Sequence, residues 1–244
     1  MMSLWDALRM NMMISYQELV RTFLNKKLLS FITCVIALFV VALFIYKNNV
    51  SNGASIKVQH FQDIMMDFKK MNLDQADGDI IFFGDSLVQA MSPYALGEKY
   101  VNMGVGGYKI SQINSLIGIS NIQKYKKVVI EGGVNDVLTQ SSVDDIKRKY
   151  IDLLFGIKDK NIVLVKTLPV EEKASKNYNG ANQKIDKINE AISQYCNSLP
   201  NCSIVDVPNE FKNKDVSNLY MDDGVHLKKD GYIYWTNKIK QHLN

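Results

Sequence analysis

Between Leu28 and Tyr46 the chain reads LLSFITCVIALFVVALFIY, 19 residues without one charged side chain. At about 1.5 Å per residue, a helix of that length spans roughly the 30 Å hydrocarbon core of a bilayer. A soluble helix keeps one polar face, and this run has none. The run therefore predicts a transmembrane helix over 28–46. A secretory signal peptide is the alternative, and Ser51 and Gly53 supply a small-x-small pair beyond the run. Against it, the preceding segment is long and carries Asp6 and Glu18, and the run exceeds the usual signal core of about 7 to 15 residues.

Charge around the run gives it a direction. Arg21, Lys26 and Lys27 precede it and only Lys47 follows closely, so the positive-inside bias places residues 1–27 in the cytoplasm and everything after Lys47 outside. Residues 1–55 hold five basic and two acidic side chains, and the remainder hold 24 against 23, so most of the net charge of +4 flanks the anchor. That is no nucleic-acid footprint, and no nucleic-acid partner is expected. With 47% hydrophobic and 22% charged residues, the composition also excludes a disordered or collagen-like chain. Three Cys and three His lack the spacing of a zinc site; no metal and no cofactor is expected.

Within 1–27, Leu4, Leu8, Met12, Tyr16, Leu19 and Phe23 recur at helical spacing, an apolar stripe for the inner membrane surface or for a partner helix. Residues 47–55 read as a linker, and 56–72 as an amphipathic membrane-proximal helix. From 73 to 244 short β-branched runs alternate with longer helical ones. Strands are predicted over 79–83, 99–103, 127–131, 161–167 and 203–207, with helices over 110–123, 143–158 and 182–198 and a final one reaching Leu243. Such alternation implies parallel strands joined by crossover helices, an α/β domain of three layers, α/β/α. Ligands on such a sheet sit beyond the carboxyl ends of its strands, which makes the residues after each run informative.

Four blocks stand at those ends. FGDSL, Phe83–Leu87, puts Ser86 where strand gives way to helix, either a capped turn or an exposed hydroxyl beside helix N-terminal amides. Val88 occupies the last position of G-x-S-x-G, so the nucleophile elbow of α/β-hydrolases is disfavoured. NMGVGGY, Asn102–Tyr108, is a flexible turn or a loop whose amides approach a ligand closely; Lys109 breaks the dinucleotide fingerprint. GGVND, Gly132–Asp136, offers the Asn135 amide as an oxyanion donor and Asp136 as a loop brace, or a simple Asx turn. MDDGVHL, Met221–Leu227, spaces Asp223 and His226 three apart, so that the carboxylate can hold the imidazole. His60, in the membrane-proximal helix, and His242, at the chain end, are poorer candidates.

In order and content these blocks resemble the SGNH (GDSL) hydrolase family over about two-thirds of the chain. The resemblance implies a flavodoxin-like sheet and a serine esterase, with Ser86 as nucleophile, His226 as general base and Asp223 as its orienter. It implies oxyanion donors at the Ser86 amide, the Gly107 amide and the Asn135 side chain, with Asp85 and Asp136 in support. Tyr108 stands where many members carry Asp, which leaves open how the glycine loop is braced. The expected substrate is a carboxylic ester, an O-acetyl group above all, on an extracytoplasmic glycan or lipid. A polysaccharide O-acetyltransferase, a lysophospholipase or lipase, and a non-catalytic tethered glycan-binding or assembly protein are the alternatives. Cys196 and Cys202 flank NSLPN and are either a disulfide or two free thiols. The polar loop 170–180 follows a strand end and either borders the pocket or is merely solvated.

Overall fold

In the computed structural model, which describes residues 4–213 and 216–243, the sheet forms where β-branched and aromatic residues concentrate. Its strands are β1 (Ile80–Gly84), β2 (Tyr100–Gly104), β3 (Lys127–Ile130), β4 (Asn161–Val165) and β5 (Cys202–Val205). All pairings are parallel, in the order β2-β1-β3-β4-β5. Observed strand ends lie within two residues of the expected ones. The helices after β1 are α2 (Ser86–Gln89), α3 (Ile110–Ile119), α4 (Val134–Leu138), α5 (Val143–Gly156), α6 (Ala181–Asn197) and α7 (Lys229–Lys240).

Alternate strand residues feed two cores, because successive side chains point to opposite faces. Ile81, Phe83, Val128, Ile130, Ile162 and Leu164 pack with buried residues of α3, α5 and α6. Ile80, Phe82, Val129, Val163 and Val165 pack on the other face with Trp235 and Ile239 of α7. Both faces of the sheet are covered, which is why β1 is apolar at every position and buried throughout. The chain steps from β1 to β2 on one side and returns to β3 on the other. That reversal opens a crevice at the carboxyl ends of β1 and β3, where the Ser86 and Asn135 blocks begin.

The helix α1 runs from Leu4 to Gln75 without interruption. Within it 12–47 is long and apolar enough to cross a membrane. Residues 47–55, expected as a linker, are helical here. Asn, Ser and Gly cost only about 0.5–1 kcal/mol each in a helix interior, and strong helix on both sides carries the backbone through them. The chain divides into two compact units, Met1–Phe61 and Gln62–Asn244. Cys196, at the end of α6, is joined by a disulfide to Cys202, the first residue of β5.

Candidate active site

At the end of β1, Asp85 turns out of the sheet and caps α2: its Oδ1 accepts from Leu87 N at 2.9 Å. Ser86 is thereby the first residue of that helix. The end of β2 passes so close to α2 that a Cβ on Gly104 would lie 2.3 Å from Gln89 N, a contact only glycine allows. On the far side, α7 ties to the same turn through Tyr232 Oη, which donates to Leu87 O at 3.0 Å.

The turn before α7 delivers the imidazole. His226 Nε2 lies 3.0 Å from Ser86 Oγ, and Nδ1 lies 2.5 Å from Asp223 Oδ2. The other oxygen, Asp223 Oδ1, accepts from Val225 N and His226 N, both at 2.9 Å, so backbone and ring are held by one carboxylate. Partial burial pushes Asp223 up, but the His226 ring and those two amides outweigh it and hold the carboxyl below its ordinary range. The 170–180 loop packs against this turn: Glu171 N donates to Gly224 O at 2.8 Å, and Tyr220 Oη donates to Pro169 O. Both Asp223 and His226 remain more than 40% exposed, so the site opens to solvent.

The β2–α3 loop faces Ser86. Val105 N donates to Gly84 O at 3.1 Å, Gly106 N to Gln89 Oε1 at 2.5 Å, and Gly107 takes a φ of +77°. The loop and cap hydrogen bonds described here use neither the Gly107 N–H nor the Ser86 N–H. Asn135 Nδ2 donates to Tyr108 O at 3.0 Å and reaches Asp85 Oδ2 at 3.4 Å, a contact at the limit of a hydrogen bond. Asp136 Oδ2 accepts from Ile110 N at 3.0 Å, bracing the start of α3. Burial raises the Asp136 carboxyl, against the pull of that amide and of Lys149.

One buried group has no counterpart among the sequence expectations. Glu131 follows β3, is 1% exposed, and faces the equally buried Asp85 within hydrogen-bond reach. Two carboxyls buried side by side disfavour a double negative charge, so the pair holds a proton more tightly than free carboxyls do. Burial first, and then the Asp85 charge, raise Glu131 well above the carboxylate range; burial also pushes Asp85 up to about 6. A carboxylate directly before Gly132 and Gly133, closing an apolar strand, was the available signal.

Both groups favour protonation more in the folded than in the unfolded chain. Their contribution to stability is full below the unfolded values near pH 4 and is lost as pH rises through about 6 and beyond. Glu131→Gln keeps a neutral donor opposite Asp85 and removes one titrating group. Its melting temperature is expected to fall less than wild type from about pH 5 to about pH 9. Equal slopes in a thermal-shift series would contradict the shared proton.

A serine hydroxyl on a helix N-terminus, an imidazole and a carboxylate joined in line, beside backbone amides, on a 2-1-3-4-5 parallel sheet: this is the build of a serine hydrolase. The chain belongs to the GDSL-like lipase/acylhydrolase family, whose family model matches residues 82–233, and it is an ester-hydrolysing enzyme. Among solved structures, it is similar to a Streptococcus pneumonia protein provisionally described as a platelet activating factor. That match has a TM-score of 0.68 and 20% identity, and covers 77% of this chain and 94% of that one. The lipase/acylhydrolase of Enterococcus faecalis matches with a TM-score of 0.59 at 17% identity, covering 67% of this chain and 94% of its own. The acetylxylan esterase Axe2 of Geobacillus stearothermophilus matches with a TM-score of 0.58 at 19% identity, covering 68% and 94%. At such identities these likenesses carry the fold alone. A comparison with the curated proteins returns no match.

Proposed function

We propose that the chain is a membrane-anchored serine esterase that removes O-acyl groups, O-acetyl above all, from an extracytoplasmic glycan or lipid. The observation that carries the reading is the line from Ser86 Oγ to His226 Nε2 at 3.0 Å and from His226 Nδ1 to Asp223 Oδ2 at 2.5 Å. Ser86 Oγ attacks the ester carbonyl as its proton passes to His226 Nε2. The tetrahedral oxyanion is met by the amides of Ser86 and Gly107 and by the Asn135 side chain, whose N–H toward Asp85 is the weakly held one. The alcohol leaves with the proton from His226. Water, deprotonated by the same nitrogen, then attacks the acyl-serine and releases the acid, and Asp223 stabilises the imidazolium in both steps.

The half-exposed His226 and Asp223 suit an acyl group borne on a large molecule better than a ligand that must be enclosed. The apolar stretch at 12–47, with more positive charge before its charge-free part than after, supports an anchor whose catalytic unit faces outward. The acetylxylan esterase that shares the fold acts on an acetylated glycan, which is the substrate class proposed here. Full-length protein in detergent should release acetate from acetylated polysaccharide faster than it releases fatty acid from lysophospholipid. Fatty-acid release alone would assign a lipid substrate instead, and acyl transfer to added sugar in preference to water would assign a transferase.

A further inference from the structure

The loop that presents Gly107 is held by the last turns of α1. Gln62, 5% exposed, donates from Nε2 to Gly106 O at 3.0 Å, and Gln112 Nε2 donates to Gln62 Oε1 at 3.3 Å, which fixes which way the Gln62 amide points. Seven residues on, and so on the same helix face, Lys69 Nζ donates to Asn102 O at 2.7 Å and to Asn102 Oδ1 at 3.3 Å. Asn102 in turn accepts from Gly104 N at 2.9 Å and donates to Val88 O at 2.6 Å. Burial lowers the Lys69 amine to about 8.

The chemistry of the peptide bond makes the Gln62 contact specific. Gly106 O and Gly107 N–H belong to one planar trans peptide and point in opposite directions. Holding the oxygen from one side aims the N–H to the other. Glycines on both sides of that peptide leave it free to rotate, and Gly107, at a φ of +77°, carries no Cβ to restrain it. A Cβ there would lie 3.0 Å from Gln62 Nε2, so the close seat of Gln62 and the glycine are one arrangement.

We propose that Gln62 is a positioning residue for catalysis: by holding Gly106 O, it aims the Gly107 N–H at the transition-state oxyanion. The inference rests on the esterase reading above. Gln62 takes the bracing role left open by Tyr108, with Lys69 steadying the strand end behind it.

The test uses full-length protein in detergent with an aryl acetate. Gln62→Leu, similar in shape but without the donor, should lower kcat about tenfold, a fraction of what losing a whole oxyanion donor costs, with KM and melting temperature unchanged. Lys69→Met should lower kcat in the same direction by less. Wild-type turnover matched by Gln62→Leu would overturn this inference and leave the esterase reading standing. A loss of melting temperature with no change in kcat would do the same, by showing a structural role alone. No turnover by wild type, with no acylation of Ser86, would overturn both.

Discussion

Ser86→Ala should abolish turnover of short-chain esters, lowering kcat by on the order of a thousandfold or more. The hydroxyl is the atom to which the acyl group transfers, and nothing beside it can substitute. In the alanine variant the His226 ring keeps its Asp223 partner, so the protein should fold and melt as wild type does. What remains is the oxyanion hole acting on water. The side chain is small and makes no packing contribution comparable with Leu87 or Val88, both buried beside it. A Ser86→Ala protein that is stable and retains wild-type kcat would remove the nucleophile from the account.

Asn135→Ala should lower kcat roughly a hundredfold with little change in KM, because an oxyanion donor acts on charge that exists only in the transition state. The structure adds a condition. Asn135 also reaches Tyr108 O and Asp85 Oδ2, so its loss removes a brace between the β2–α3 loop and α2 as well as a donor. Asn135→Asp keeps the size but removes both: a carboxylate cannot donate to Tyr108 O or to the oxyanion, and it faces Asp85 and the developing charge. Both variants should lose kcat, and Asn135→Asp should lose at least as much. Full activity in Asn135→Asp would assign the oxyanion to backbone amides alone.

The sheet was legible because its strands are short runs rich in β-branched and aromatic residues, several of them closed by Gly or Asp. Where the run softened, as in the Lys166–Thr167 continuation of β4, the strand ended earlier than the sequence suggested. The line of Ser86, His226 and Asp223 was legible as well, since each lies in a motif at a strand or helix boundary. What was not legible depends on contacts between residues far apart in sequence. Gln62 and Lys69 lie in the stretch read only as an amphipathic helix, yet both are buried, Gln62 against the glycine loop and Lys69 against Asn102 of β2. Glu131 read as the polar end of a strand until the crevice placed it against Asp85. The 47–55 segment read as a linker because its composition is that of one, whereas helix on either side propagates through it. Tyr108 read as a gap in the loop's bracing, and the gap is filled from α1, α2 and Asp136 instead.

The central claim is that Ser86, activated by His226, is an acylating nucleophile. Intact-mass analysis of the full-length protein after exposure to a fluorophosphonate tests it without any assumption about the substrate. One adduct per chain is expected, mapped to Ser86 by peptide sequencing, lost in Ser86→Ala and strongly slowed in His226→Ala. A wild-type protein that takes up no label, or labelling that persists unchanged in Ser86→Ala, would contradict it.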